Sequence, residues 1–208
     1  MIVSTSLIRR RDDVSLSAFQ KHWLDPHGPL TAKLPGTRKY SQNHVLPDAP
    51  GTNSVARRMR IDGFPMLAFD DPESRRAAHH SKEMADCNKD SLLFIGAVSR
   101  VISDVGDTRE PAGAGTATKQ ILLAPQGARH IDLRAIIDGL DGVVGAINHR
   151  MLEQGAAPNS AVPFIGVEVT DLAEIWTQDA RAVAANADRL QREVPEIAAF
   201  SVYVYNFL

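Results

Sequence analysis

An internal repeat is the sequence feature that most constrains how this 208-residue chain can fold. Its first half predicts the order strand, helix, strand, strand, helix, strand, and the same order returns about 105 residues later. Short similar segments support the repeat: Leu34-Pro35-Gly36 corresponds to Leu140-Asp141-Gly142, and Asn43-His44 corresponds to Asn148-His149. We interpret the chain as two copies of one βαββαβ unit.

Apolar spacing and the positions of Pro, Gly and Asp predict the elements of both halves. The predicted strands of the first half are 2–9, 38–46, 59–70 and 97–105, with one helix ending at Pro26 and another over 72–88. Those of the second half are 119–125, 144–151, 161–170 and 200–207, with a short helix capped by Asp132 and a long one over 171–194. The Gly- and Ala-rich segment 106–118 is the predicted linker between a domain at 1–105 and a second at 119–208.

The repeat predicts an α+β fold of two ferredoxin-like units. In each unit, both helices cover one face of a four-stranded antiparallel sheet, which leaves the other face bare and in need of a partner. The economical solution is to pack the two sheets together as a pseudo-dimeric α+β barrel within one chain. Small barrels of this kind can enclose a cavity of ligand size, so we expect a small-molecule substrate.

Composition excludes several classes of function. The formal net charge is −2 and the basic residues are interspersed with acidic ones, which argues against a nucleic-acid partner. No apolar run approaches the ~20 residues of a membrane span, so we expect no membrane partner. The single cysteine, Cys87, permits no internal disulfide and favours a cytoplasmic protein. No HExxH motif or Cys/His cluster occurs, so no metal site is predicted.

The two copies differ in one place, the segment 24–33. It contains His27 between prolines and a glycine, and the second copy has no equivalent segment. Because both halves have the predicted scaffold and only the first has this polar loop, we expect the first half to contain the functional site and the second half to support it. An imidazole transfers protons near pH 7, so His27 is a candidate general acid or base. The alternative is a histidine that only stabilises the end of the preceding helix.

Two further polar residues follow His27 on a predicted strand. Tyr40 and His44 are four residues apart, so both point to the same face. If that face lines the cavity, they converge with His27. For His44 a structural role is the alternative, because the second copy also has a histidine, whereas Tyr40 has no tyrosine counterpart there.

These residues carry a family resemblance. The first 105 residues resemble the EthD domain family of the dimeric α+β barrel superfamily; the motifs that carry the resemblance are Phe19-x-x-x-Trp23-x-x-x-His27-Gly28-Pro29-Leu30, Leu34-Pro35-Gly36, Tyr40-x-x-Asn43-His44-Val45 and Ile61-Asp62-Gly63. The second half resembles only the pattern of the fold. The resemblance implies a barrel half that is normally completed by dimerisation. Because this chain already holds two copies, whether it also forms a homodimer is left open.

The resemblance implies acid/base chemistry without a cofactor. Similar barrels act as lactone isomerases, dehydratases and decarboxylases, with a motif histidine and a nearby tyrosine as acid/base groups. We therefore expect a lyase or isomerase acting on a small apolar, aromatic or lactone-like metabolite. The expected catalytic residues are His27, Tyr40 and His44, and the expected substrate-binding residues are Phe19, Trp23, Leu30 and Arg38.

Two alternatives remain at this point. Similar barrels also act as quinone-forming monooxygenases and, in some branches, bind haem, which would make a histidine an axial ligand. A barrel of this kind could also be a non-catalytic protein that binds a ligand or a partner chain.

Overall fold

The computed structural model describes residues 1–109, 117–126, 131–156 and 161–208. It is an α+β fold in which eight antiparallel strands close into one barrel. The strands are β1 (Ile2–Arg10), β2 (Thr37–Val45), β3 (Gly63–Phe69), β4 (Ile95–Arg109), β5 (Thr118–Pro125), β6 (Val143–Gly155), β7 (Val169–Thr177) and β8 (Ala198–Asn206). The helices are α1 (Leu16–His22), a π-helical turn (Trp23–His27), α2 (Gly28–Thr31), α3 (Ser54–Met59), α4 (Pro72–His79), α5 (Lys82–Ser91), α6 (Leu133–Asp138) and α7 (Ala180–Glu193).

The order of strands around the barrel is β1-β3-β2-β8-β5-β7-β6-β4. The first four strands of the chain are therefore neighbours in the order β4-β1-β3-β2, and the last four in the order β8-β5-β7-β6. Two seams join the halves, one between β2 and β8 and one between β4 and β6. Closure leaves no strand edge unpaired, which is how a barrel removes the exposed edges of a sheet.

Along each strand, successive side chains point alternately into the barrel and to its outer face. On β1, the side chains of Val3 and Leu7 point inward and join the central apolar cluster, while Ser4, Ser6 and Ile8 point outward. Apolar side chains from every strand fill the interior, among them Phe64, Val101, Ile121, Leu172 and Phe200. The helices pack on the outer face, where α6 and α7 cover the second half with their own apolar cluster.

The helices of the first half differ from the prediction at two points. Pro26 does not end the first helix, because the chain widens into the π-helical turn and continues as α2. In an α-helix, proline has no N–H to donate and its ring clashes with the carbonyl group of the preceding turn. The wider π turn leaves room for the ring, so the helical path can continue through Pro26. The predicted helix 72–88 is two helices, α4 and α5, separated at His80 and Ser81; Ser81 caps the second by accepting a hydrogen bond from Met84 N. Helix α3 was not predicted.

One predicted strand of the second half is wrong. Segment 161–170 was expected as a strand followed by a helix from Asp171, but β7 begins at Val169 and runs through Asp171, and Asp179 caps α7. The sequence of β7, VTDLAEIWT, contains Asp171 and Glu174, which break the apolar alternation of a strand. Glu174 is nevertheless buried, since it faces inward and is paired with charged and polar neighbours.

The predicted equivalence of His44 and His149 is wrong by one residue. His44 points to the outer face of the barrel, where it stacks on Trp23, whereas His149 points inward and contacts Glu174. A shift of one residue moves a side chain to the opposite face of a sheet. Asn43, which also points inward, is the residue that occupies the position of His149 in the first half.

The predicted linker lies only partly within the described residues. Residues 106–109 continue β4, Thr118 begins β5, and the positions between 109 and 117 lie outside the described residues. In the described part of the chain, no helix has the length and apolar character that crossing a membrane requires.

Candidate functional site

A cavity of about 90 Å³ lies between the outer face of the first-half strands and the helices that cover it. It is therefore not inside the barrel, where the sequence suggested a ligand, because apolar side chains fill that space. Strands β1, β3 and β4 provide its floor and helices α2, α4 and α5 its roof; lining residues include Ser4, Ser6, Ile8, Leu34, Pro65, Leu67, Phe69, Met84, Ile95 and Val98. His27 and Tyr40 both line this cavity.

His27 is held by a carboxylate from a distant helix. It closes the π-helical turn, is only 8% exposed, and its Nδ1 lies 2.8 Å from Oδ2 of Asp90 on α5. Phe94 packs against the ring at a centroid distance of 5.0 Å. Among the described residues Nε2 has no hydrogen-bond partner. A carboxylate on Nδ1 fixes the tautomer with the lone pair on Nε2, which is the arrangement of a general base.

Asp90 holds two histidines. Nε2 of His22 lies 3.2 Å from both of its carboxylate oxygens. The hydrogen bond with His27 is the main cause that lowers the pKa of Asp90 below its usual range. The carboxylate is therefore ionised near neutral pH and stabilises a proton on either imidazole.

Tyr40 lies on β2 at the same cavity and stays protonated. Its side chain is fully buried, and burial raises the pKa of its phenol to about 12. Nε2 of Gln42 donates a hydrogen bond of 2.8 Å to the phenol oxygen, and the ring of Phe207 stacks on that of Tyr40 at 4.9 Å. A neutral phenol in this place can donate to an oxygen that gains negative charge during a reaction.

His44 does not reach this cavity. It points to the same face as Tyr40, as predicted, but its ring stacks on Trp23 at 4.2 Å and borders a separate cavity with Tyr203 and Tyr205. Its Nε2 lies 2.9 Å from Oε1 of Gln42, so Gln42 stands between it and Tyr40. Burial lowers the pKa of His44 to about 4, and the ring is neutral at pH 7.

The residues expected to bind substrate are placed around the cavity rather than in it. Phe19 and Trp23 are fully buried in an aromatic cluster with Phe94, behind the cavity wall. Leu30 packs against a small cluster that includes Leu34, Met84 and Cys87, residues that do line the cavity. Arg38 is exposed at the end of β2, where its guanidinium binds Asp70 at 2.5 Å. None of these four residues is therefore among those that line this cavity.

The opposite end of the cavity is cationic. Arg100 on β4 lines it, is 9% exposed, and places its Nη1 3.3 and 3.4 Å from the two ring nitrogens of His79. Burial, together with the charge of Arg75, lowers the pKa of Arg100 to about 10. Burial and the same two arginines lower the pKa of His79 to about 3, so its ring is neutral.

Sequence reasoning missed Asp90, His79 and Arg100. The predicted helix 72–88 contains His79 but ends before Asp90. Asp90 meets His27 across 63 residues of chain, and Arg100 meets His79 across 21. The one local signal is the alternation of β4, which places Arg100 two residues from Val98 on the face toward the helices.

A metal site needs several donor side chains close together. In the described ranges, no group of three or more His, Cys, Asp or Glu side chains could hold a metal ion. Cys87 also lines the cavity, and burial raises the pKa of its thiol to about 11, which keeps it protonated.

Comparison with known families connects this half of the chain to one of them. Residues 11–97 match the model of the EthD domain. An EthD family protein from Bacillus halodurans C-125 is 25% identical over 50% of this chain and 98% of its own, with a TM-score of 0.41. No curated protein matches the chain.

Two solved structures match almost the whole chain in fold. An anthrone oxidase-like protein is 8% identical, with a TM-score of 0.58 over 99% of this chain and 92% of its own. A protein of Lactobacillus acidophilus NCFM, provisionally named a monooxygenase, is 7% identical, with a TM-score of 0.53 over 98% and 93%. At these identities the likeness is one of fold, and both match the complete barrel.

Proposed function

From the premise that residues 11–97 form an EthD domain, we propose that this protein is a cofactor-independent enzyme that removes a proton from a small organic substrate. The observation that supports it is the pairing of His27 with Asp90 at the wall of a cavity that Tyr40 also lines. A base oriented by a carboxylate and a neutral phenol are the two groups that proton abstraction next to a carbonyl requires.

The proposed roles follow from the chemistry of each group. Nε2 of His27 takes a proton from the carbon next to a carbonyl, and Asp90 stabilises the imidazolium that forms. Tyr40 donates a hydrogen bond to the enolate oxygen, since its pKa of about 12 keeps it protonated. The proton held by His27 then returns to another carbon, which is an isomerisation, or assists a leaving group, which is a lyase reaction.

A second candidate function shares the first step. A carbanion formed by His27 could react with molecular oxygen, and two neighbours in fold are named an anthrone oxidase-like protein and, provisionally, a monooxygenase. In that case oxygen would be consumed and the substrate oxidised, whereas a lyase or isomerase consumes none. Oxygen uptake by the purified protein with an active substrate separates the two.

We further propose that the fold arose from a tandem duplication of one ferredoxin-like unit. The strand orders β4-β1-β3-β2 and β8-β5-β7-β6 are equivalent. Gly36 and Gly142 both adopt positive φ values, 72° and 66°, and each directly precedes the second strand of its half. In the second half, side chains such as Leu122, Ile137 and Leu190 fill the space between sheet and helices. That half therefore acts as a support.

Exchange in heavy water tests proton abstraction without knowledge of the natural substrate. Small aryl ketones and unsaturated lactones would be incubated with the protein in D₂O, and deuterium at the carbon next to the carbonyl would be followed by NMR. We expect exchange with at least one compound, and a loss of ~10²–10⁴-fold in His27→Gln, the usual contribution of a general base. Tyr40→Phe should lose ~10–10³-fold, because only the stabilisation of the oxyanion is removed.

The matched control is His80→Gln, which changes an exposed histidine outside the cavity. It should exchange at the wild-type rate. Equal rates in wild type and His27→Gln, or no exchange with any compound by folded wild type, would overturn the proposal.

A further inference from the structure

The buried guanidinium of Arg100 is an unusual feature of the cavity. Arg100 points from the outer face of β4 into the cavity and is cross-strand partner to Ser6, which also lines it. Its side chain is about nine-tenths buried, and its Nε has no hydrogen-bond partner. A buried arginine normally forms paired hydrogen bonds with a carboxylate, because an unpaired buried charge is costly.

No anion of the described protein neutralises this charge. Across residues 1–109, 117–126, 131–156 and 161–208, no carboxylate lies within ion-pair distance of Arg100, and its one hydrogen-bonding neighbour is neutral His79. Arg75 lies close enough to lower the pKa of Arg100, and its own Nε is buried without a partner. The carboxylate of Glu153 raises the pKa of Arg100 and so partly offsets the effects of burial and Arg75. Glu153 lies 4.0 Å from Arg75, and its side chain is 71% exposed.

Arg100 and Tyr40 line the cavity from strands that are not adjacent. Arg100 is on β4 and Tyr40 on β2, which are three strand steps apart in the order β4-β1-β3-β2. At ~4.8 Å per step, their backbones are ~14 Å apart. Both side chains line one cavity, whose lining includes the apolar residues Leu67, Ile95 and Val98.

We propose that Arg100 binds a carboxylate of the ligand, so that the substrate is a small organic acid whose reacting carbon lies toward His27. A guanidinium binds a carboxylate through two parallel hydrogen bonds, and Arg100 lines the cavity without a carboxylate partner among the described residues. The apolar wall would contact the hydrocarbon part of the acid. This inference rests on the proposed function for the position of the reacting carbon, while binding of the acid can be measured without any reaction.

Benzoate and benzamide are the probes, because they share shape and differ in charge. Binding to the full-length protein would be measured by calorimetry, and stabilisation by thermal unfolding, at pH 7. We expect benzoate to bind at least tenfold more tightly than benzamide. Arg100→Gln should reduce this preference to within twofold, and Arg100→Lys should retain part of it, since it keeps the charge and loses the paired geometry. Arg38→Gln, which removes an exposed arginine bound to Asp70, should keep it in full.

Each result decides for or against the inference. Equal affinity for benzoate and benzamide in wild type, binding of neither, or tighter binding of inorganic phosphate than of benzoate would overturn it, and these measurements need no variant to fold. An unchanged preference in folded Arg100→Gln would also overturn it. Benzoate binding is measured in wild type without any reaction and proton abstraction by exchange in D₂O, so failure of the acid site and failure of proton abstraction are separate outcomes.

Discussion

At the residue scale, the histidine of this site could be predicted and its partners could not. His27 stands out because it lies in the segment present in only one half, and Tyr40 because its spacing from His44 places both on one face. Asp90 and Arg100 come from elements whose local sequence shows ordinary helical and strand patterns. Their roles depend on contacts that form only when α5 and β4 pack beside the π-helical turn. Such contacts have no signature in a single sequence.

Two buried histidines predict a loss of stability in acid. Burial lowers the pKa of His44 to about 4 and that of His79 to about 3, against an ordinary value of 6.5 in the unfolded chain. Below pH 6.5 the unfolded state therefore binds protons that the folded state does not, and the free energy of unfolding decreases as the pH falls toward 4. We expect His44 alone to account for a decrease of ~1–3 kcal/mol between pH 7 and pH 4.

Urea denaturation of wild type and His44→Gln at both pH values checks this expectation. Glutamine can still bond to Gln42 and cannot titrate, so the decrease between pH 7 and pH 4 should be smaller in the variant. The exposed His80→Gln should decrease as much as wild type. An equal decrease in His44→Gln and wild type would contradict the assigned cause, whatever the stability of the variant at pH 7.

At the scale of elements, most strands could be predicted and the irregular parts could not. Alternating or β-branched residues placed β1, β2, β5 and β8 close to their observed bounds. The π-helical turn was missed because proline ordinarily ends a helix, and only packing against Phe94 and Asp90 shows why the chain continues through it. Strand β7 was missed because Glu174, an inward-facing charge, resembles a helical residue in sequence.

The contact between α2 and the end of the chain gives a prediction at this scale. A Cβ atom at Gly28 would lie 2.2 Å from Cζ of Phe207, whose ring also stacks on Tyr40. Gly28→Ala should therefore displace that ring and lower the free energy of unfolding by ~1–3 kcal/mol. In a Phe207→Ala background the same change should cost less than ~1 kcal/mol, since the two closest atoms are gone and only Nε2 of Gln42, at 3.0 Å, remains near the added Cβ.

A double-mutant cycle measured by chemical denaturation tests the contact. Gly155→Ala is the control, because a Cβ at Gly155 meets nothing within 4 Å, and it should change stability by less than ~0.5 kcal/mol. Strictly additive effects of the Gly28 and Phe207 substitutions would contradict the predicted contact.

At the scale of the whole molecule, closure of the barrel could be predicted from the sequence, but the position of the cavity could not. Two sheets, each covered on one face by helices, must bury their bare faces together, and the eight-stranded barrel does so. Which of the two spaces holds a ligand depends on side-chain volume. The interior is packed with apolar side chains, whereas the first-half helices leave a gap over β1, β3 and β4. The sequence pattern alone does not distinguish these outcomes.

A polar network inside the barrel crosses both seams between the halves. Nζ of Lys119 on β5 binds Glu174 on β7 at 2.5 Å and donates to Asn43 on β2 at 2.7 Å. His149 on β6 binds Glu174 at 2.8 Å and Ser103 on β4 at 2.9 Å. Burial alone would raise the pKa of Glu174, but Lys119 and His149 together outweigh it and lower that pKa to about 2. The carboxylate is therefore charged in the interior and depends on its partners.

That dependence predicts a strongly non-additive pair of substitutions. Lys119→Met should lower the free energy of unfolding by ~3–5 kcal/mol, because it leaves the buried charge of Glu174 without its cation. Lys119→Met with Glu174→Gln should recover most of this loss, since an uncharged amide of the same shape can still bond to His149 and has little need of the lysine. Urea denaturation of the two single variants and the double variant at pH 7 measures the coupling. A double variant as unstable as the sum of the singles would contradict the predicted coupling between Lys119 and Glu174.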